Sequence, residues 1–483
     1  MTLSRPMHAS KSQAECHRQG TSEAGCWNWS ARSPSGREMI APWYARRWWG
    51  VILCIAYPVA AVLPLAVFTA LQPTMEHASA VEIGADCAIV GFTLVALQFV
   101  LAARLSWVEG PFGLDVLMRF HRAMALVAIV LLCAHPLLVA AGNGWGLLTR
   151  WRVPWYLWVG RLGLLLLLLQ VCSSLLRLSL PFAYEVWRRC HNILALALLG
   201  SGFVHSAAIG SDLRSAAGLV VWAGLLAIAL GAWLYNRLLR PLLMRSGWGG
   251  YLFRVVAVNA EAPRVWTIAL EPVGKRFAYA PGQFQFLRVR SRMVGSAEHP
   301  FTIASSPARQ AGISLTIKEC GDFTKGIRLL QPGDHATVHG PFGRFSHTFH
   351  SDEQDLVFVA AGVGITPFIS MLRYMSDVSE QLSVLLVYAS RTPADILFQE
   401  ELRAIEAAGS PTLKVVHVLS DPPANWHGEV GRLDADRLMQ ISGGPAAKAF
   451  YLCCPPTMME ALIRGLRRHN VSTARIHADY FSI

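Results

Sequence analysis

Residues 191–205 read HNILALALLGSGFVH, and residues 121–135 read HRAMALVAIVLLCAH. Each stretch sets a histidine at both ends of thirteen intervening, almost wholly apolar residues. Fourteen steps along an α-helix turn through about 1400°, within roughly 40° of four whole turns, and rise about 21 Å. His121 and His135 therefore share one helix face at two heights, and so do His191 and His205. An imidazole in an apolar span is costly unless it has a partner. One partner is a hydroxyl or carbonyl of a neighbouring helix. The other is a metal centre. Zinc wants its ligands gathered at one point, whereas these four residues stand two by two at separate levels. Bis-imidazole ligation of two b-type haems suits that arrangement and leaves no open iron position.

Both stretches lie within longer apolar runs. Six of these occupy the first half, at about 48–71, 83–103, 117–140, 155–177, 184–207 and 216–236. Each is long enough to cross a hydrocarbon core of about 30 Å as a helix. Composition agrees: 53% of the 483 residues are hydrophobic, only 15% are charged, and mean hydropathy is +0.37. The net charge of +12 does not point to nucleic acid, because the arginines crowd beside the apolar runs. Arg46, Arg47, Arg104, Arg119, Arg177, Arg188, Arg189, Arg237, Arg240 and Arg245 flank one side, while 72–82 has no Lys or Arg. The connection 208–215 has only Arg214, and 141–154, with Arg150 and Arg152, is the exception. The bias places both termini in the cytoplasm of a multi-pass protein of the plasma (inner) membrane. His121 and His191 are then at the inner level, and His135 and His205 at the outer. Arg122, Arg188 and Arg189 fall near the inner level, and Arg161 in the outer part of the fourth run. Arg161 is the candidate for a haem propionate or a substrate-side contact. The ten cysteines form no CxxC pair and no disulfide framework.

After Gly250 the texture changes to alternation: YLFRVVAV at 251–258, QFQFLRVR at 283–290, ISLTIKE at 313–319. Period-two patterns between Pro and Gly turns predict a small antiparallel barrel or sandwich. From 355 the strands DLVFVAAG, SVLLVYAS and LKVVHVLS alternate with helical segments, which predicts a parallel, nucleotide-binding sheet. The expected division is a disordered tail over 1–44, with Met39 as an alternative start, a six-helix all-α transmembrane haem-binding bundle over 45–245, an antiparallel β-barrel domain over 250–350 and an α/β Rossmann-like nucleotide-binding domain over 351–483.

PGQFQFLRV (281–289), HPFTIASSP (299–307) and GDFT (321–324) together resemble the flavin-binding domain of the ferredoxin–NADP reductase superfamily. HPFT following six helices with paired histidines resembles the NADPH oxidase and ferric reductase family, over about residues 45–483. The resemblance implies that His299 touches the FAD phosphates, Phe301 packs on the flavin and Thr302 sits by its N5. It also implies that Gly321 and Thr324 meet the pyrophosphate. Gln283 and Pro300 belong to the same FAD-binding segments.

In VFVAAGVGITP (357–367), Gly362 and Gly364 would admit a pyrophosphate at a helix N-terminus, beside Thr366. Pro367 stands where the dinucleotide fingerprint has its third glycine, which matches the reductase superfamily. Ser390 and Arg391 follow the next strand with no acid for a ribose hydroxyl, which favours NADPH and leaves NADH possible. YLCCPPTMM (451–459) resembles the family's Cys-Gly-Pro segment, with Cys453 beside the nicotinamide and Cys454 in place of glycine. In the closing IHADYFSI, Phe481, or alternatively Tyr480, matches the aromatic that covers the flavin. Thr302, Cys453 and Phe481 are thus the residues expected at the reacting rings.

The expected activity passes electrons from NADPH through FAD and two haems across the bilayer to dioxygen or a ferric chelate. Two alternatives stay open: a subunit feeding a separate partner protein or quinone, and a transporter with a nucleotide-sensing domain.

Overall fold

The computed structural model describes residues 47–479 except 72–78, 180, 182–183, 210–215, 246–249, 292–293, 295–297, 310–311 and 446. The tail over 1–44 and the aromatics Tyr480 and Phe481 lie outside the described residues. Among the described residues, six helices are long and apolar enough to cross a membrane. They are α1 (Arg47–Leu71), α2 (Ala80–Ala102), α3 (Leu114–Asn143), α4 (Trp155–Leu175), α5 (Tyr184–Ile209) and α6 (Ala216–Leu234). A π turn, Tyr235–Leu239, carries α6 into the short α7 (Arg240–Arg245).

Local chemistry sets some of these bounds. Ser79 caps α2: its hydroxyl accepts from the Glu82 N–H, and its own N–H donates to the Glu82 carboxylate at 2.7 Å. The middle of the bundle belongs to α2, whose apolar stretch is far more buried than that of either histidine helix. Glycine lets α2 approach α3. A Cβ on Gly91 would lie 2.8 Å from Leu132 Cγ. Likewise Gly202 of α5 leaves room for the Phe92 ring of α2. The two histidine helices take other main neighbours: α3 packs along α2, and α5 along α4.

The first sheet contains β1 (Tyr251–Ala262), β2 (Val265–Pro272), β3 (Phe284–Arg290), β4 (His299–Thr302), β5 (Ile313–Lys318) and β6 (His335–Phe342). Its order is β4-β3-β6-β1-β2-β5, all antiparallel. Inward residues of alternate phase, among them Phe253, Val255, Ile268, Leu287 and Leu315, form its core. The sheet curls so that its edges meet just past β4, where the Ala304 N–H donates to Ser314 O at 2.8 Å. A ladder between β4 and β5 does not close the barrel.

The second sheet contains β7 (Asp355–Ala361), β8 (Ser383–Ser390), β9 (Thr412–Leu419), β10 (Glu429–Val430), β11 (Ala449–Cys453) and β12 (Ile476–Ala478). The order β10-β9-β8-β7-β11-β12 is parallel throughout. Helices cover both faces and bury two cores: α8 (Thr366–Asp377) and α9 (Gln399–Ala408) on one side, α10 (Ala435–Ser442) and α11 (Pro456–Arg468) on the other. Strand order reverses between β7 and β11. That switch point, at the carboxyl ends of the strands, is where such a sheet holds its ligand.

Candidate functional site

His135 and His205, the pair expected at the outer level, face each other across the bundle. The rings of His135 (α3) and His205 (α5) have centroids 6.3 Å apart and planes at 78°. His135 Nδ1 lies 2.8 Å from Gly84 O, and His205 Nδ1 lies 2.7 Å from Tyr156 O. A carbonyl only accepts, so each Nδ1 carries a ring proton, which leaves Nε2 as the nitrogen available to a metal. Neither ring makes another hydrogen bond among the described residues. Two imidazoles bound from opposite sides to one ion, at about 2 Å per bond, hold their ring centres about 6 Å apart. Gly160 provides the room: a Cβ there would lie 2.4 Å from His205 Cε1.

In the other pair, His191 Nδ1 lies 3.3 Å from Ser174 Oγ, and the Gln170 amide donates to His191 O at 3.1 Å. The Trp187 ring packs 5.0 Å from the His191 ring. His121 keeps a buried Nδ1 with no hydrogen-bond partner among the described residues. Arg161 is occupied elsewhere. Its guanidinium donates to Leu147 O and Arg150 O, both at 2.9 Å, and lies over the Trp158 ring.

The ends of α2 and α6 meet the first sheet through a charged clamp. Glu298, the residue before HPFT, pairs with Arg240 at 3.0 Å and with Arg104 at 3.6 Å. Arg240 follows α6, and Arg104 follows α2 in left-handed backbone, φ +51°. Arg104 also lies over the Phe286 ring at 4.1 Å. The Arg240 guanidinium donates to His339 Nδ1. Burial, then the charges of Arg240 and Arg104, push the His339 imidazole down to about 2, so it stays a neutral acceptor. Asn236 ties α6 to Ala102 O of α2 at 3.2 Å. Beside the clamp, Leu114 of α3 is buried against Phe286 and Phe342. A cleft of about 600 Å³ opens between the start of α3, the barrel end at Gly343–Phe345 and β12.

Within the first sheet, β4 presents His299 and Phe301 on one face and Pro300 and Thr302 on the other. Phe323, from the GDFT turn, stacks on His299 at 4.1 Å and lies 6.1 Å from Phe301 at 17°. Two motifs 22 residues apart (His299 to Gly321) thus share one aromatic stack. Thr302 is 4% exposed, and its Oγ1 has no partner among the described residues. Its β3 neighbour Gln285 is fully buried with both amide atoms unpartnered. Buried polar atoms without partners are costly, and a flavin with its ring of donors and acceptors suits them. Gln283 is spent on the backbone: it accepts from the Ala280 N–H and donates to Gly343 O. Thr324 likewise closes its own turn, accepting from the Cys320 N–H and donating to Gly321 O. Gly321 adopts φ +121°, which only glycine takes readily.

At the switch point the loop Gly362–Ile365 leads into α8, with Thr366 and Pro367 in its first turn. The two glycines differ. Gly362, φ +54°, has nothing within 4 Å of a Cβ position, so its surface is open to a phosphate. A Cβ on Gly364 would lie 2.2 Å from Cys453 O, so that glycine seats the loop against β11. Cys453 is fully buried, and burial, with Asp479 next, pushes its thiol far up. It is a protonated thiol at neutral pH, not a thiolate. Cys454 fills the opposite core, among residues such as Met459 and Leu462, and burial pushes it up to about 12. Ser390 is buried at the end of β8, while Arg391 is 78% exposed and 3.6 Å from Asp421.

Sequence reading missed Gln285, Phe323, Gly160 and the Glu298 clamp. Phe323 and Gln285 stood inside quoted motifs. Nothing in the local pattern marks Gly160 or pairs Glu298 with arginines 194 and 58 residues away.

Three family profiles match in order: the ferric reductase like transmembrane component over 87–202, the FAD-binding domain over 252–343 and the oxidoreductase NAD-binding domain over 358–463. The sulfhydrogenase 1 gamma subunit of Pyrococcus furiosus is 31% identical over 41% of this chain and 68% of its own length. The ferredoxin reductase component of a Rhodococcus rhodochrous 3-ketosteroid-9-alpha-monooxygenase is 31% identical over 47% of this chain, which spans 63% of that relative. Ferredoxin–NADP reductase B of Sorangium cellulosum is 30% identical over 46% of this chain and 93% of its own length. With its six apolar helices, its antiparallel FAD-binding sheet and its parallel NAD-binding sheet in that order, the chain belongs to the NADPH oxidase and ferric reductase family, as an integral membrane oxidoreductase.

Proposed function

We propose that the chain carries electrons from cytoplasmic NADPH across the bilayer to dioxygen or a ferric chelate on the outer face. The observation that carries this reading is the outer pair of imidazoles, 6.3 Å apart, each with Nδ1 committed to a carbonyl. FAD and two b-type haems, when bound, supply the conversion of a two-electron donor into single-electron steps. The chain's residues do the rest. His121 and His191 would hold the inner haem, His135 and His205 the outer one. His299, Phe301, Thr302 and the Gly321 turn would hold FAD, and Gly362, Ser390 and Arg391 the NADPH. The division of labour is 45–245, 250–350 and 351–483, with both termini cytoplasmic. The test is an NADPH-reduced visible spectrum, followed by parallel assays with oxygen and ferric chelates, using superoxide dismutase as a control. A flavin-replete preparation without a haem Soret band overturns the reading.

A second reading has one observation in its favour: two of the three relatives named above are a reductase component and a subunit of larger systems. On that reading the electrons pass to a separate partner protein or quinone. Inactivity of the haem-loaded chain toward both oxygen and ferric chelates would support it.

Two predictions arise here. Arg391→Ala should raise KM for NADPH by about 10- to 100-fold, the loss of a charged hydrogen bond to the 2′-phosphate, and leave KM for NADH unchanged. Equal effects on both nucleotides would remove Arg391 from the 2′-phosphate site. Glu298→Gln should loosen the sheet from the helix ends. Because misplacement by about 1 Å can cost about 100-fold, flavin-to-haem transfer should slow by at least about 10-fold. Flavin reduction by NADPH should change by less than about twofold, which stopped-flow spectra separate.

A further inference from the structure

Two imidazoles and a carboxylate meet beside the junction cleft, and the electron path uses none of them. His350 and Glu353 belong to the turn before β7, and His477 belongs to β12, 124 residues from Glu353. Glu353 is 5% exposed. Its carboxylate accepts from His477 Nε2 at 2.8 Å on one oxygen and from the Tyr451 hydroxyl at 2.6 Å on the other. The His350 ring lies 4.1 Å from the His477 ring, planes at 37°. His350 makes no side-chain hydrogen bond among the described residues. One donor atom from each of the three residues lies within 4.8 Å of the others. Both histidines line the cleft.

A hydrogen-bonded structural triad accounts for Glu353, Tyr451 and His477. It does not account for an imidazole laid against a second imidazole with no bond of its own. A shared cation does. Two donors on one ion, with bonds of about 2.0–2.2 Å, stand about 3.0–3.5 Å apart. The pair His477 Nε2 and Glu353 Oε1 is already near that spacing. His350 sits on a turn and reaches the ion by a modest ring rotation. Tyr451 then orients the ligating carboxylate from its other oxygen, as outer partners of metal ligands do.

We propose that His350, Glu353 and His477 form a divalent transition-metal site whose fourth position opens to the cleft. Two imidazoles and a carboxylate are a donor set that zinc takes readily. On ligation His477 carries its ring proton on Nδ1. The ion would link the 350–353 turn to β12, the edge strand of the parallel sheet, and so brace the contact between the two soluble sheets.

The test uses the full chain loaded with FAD and haem, stripped with a chelator and then given Zn²⁺ alone. Wild type should bind about one more equivalent than His350→Ala or Glu353→Gln, read by metal analysis after gel filtration. It should also gain about 3 °C or more in Tm with zinc, a gain both variants lose. Tyr451→Phe should keep the equivalent at weaker affinity. Zinc taken by intramembrane histidines cancels in the difference, so the outcome is independent of the haem reading. His350→Ala removes no hydrogen bond and should keep NADPH-driven flavin reduction. Should Glu353→Gln misfold, His350→Ala against wild type still decides. Equal zinc in wild type and His350→Ala, or no zinc-dependent rise in the wild-type Tm, overturns the site.

Discussion

His135→Ala should halve the haem content, from about two to about one per flavin, and stop electron delivery to external acceptors. Loss of an outer partner of a metal ligand commonly costs about 10–100-fold, so loss of the ligand itself should cost at least about 100-fold. NADPH-driven flavin reduction should survive, because Cys453, the Gly362 loop and HPFT all lie in the soluble sheets. A haemochrome assay gives the stoichiometry, and stopped-flow spectra give the surviving step. Undiminished external reduction in this variant would sink the ligand assignment.

Gly160→Ala should reproduce much of that loss with all four histidines in place. The added methyl would lie 2.4 Å from His205 Cε1 and 2.6 Å from its Nδ1. The ring cannot stay there and keep its 2.7 Å bond to Tyr156 O. Displaced, it loses both its tautomer lock and its place opposite His135. Haem per flavin should fall toward about one, and external reduction by at least about 10-fold. Gly200→Ala is the control. It lies in α5 as well, and its Cβ position has nothing within 4 Å. Alanine there should be neutral or stabilise the helix by up to about 1 kcal/mol. A Gly160 variant with a wild-type haem spectrum would show that the glycine only eases helix packing.

Much of the architecture was legible in the chain. The apolar runs at 117–140 and 184–207 reappear within α3 and α5, because a lipid-spanning backbone must satisfy itself and only a continuous apolar helix does so. The fourteen-residue interval placed two histidines on one face of each helix, since helical periodicity is local. Alternation in YLFRVVAV and the buried run DLVFVAAG separated an antiparallel from a parallel sheet, because the side-chain period records which faces are covered. HPFT stood out only through its resemblance to a known family.

The sequence by itself therefore determined the order of the three folds and the shared helix faces of the paired histidines, written in short-range periodicity and spacing. Tertiary structure alone decided which carbonyls fix His135 and His205, through Gly84 and Tyr156, and that Gly160 makes the space. It decided that Glu298 is clamped by Arg104 and Arg240, that Gln283 and Thr324 serve the backbone, and that His477 meets Glu353. Such contacts depend on the rotation of packed helices and on how two sheets are set against each other. Residues dozens to more than a hundred positions apart meet there, and no local period carries that information.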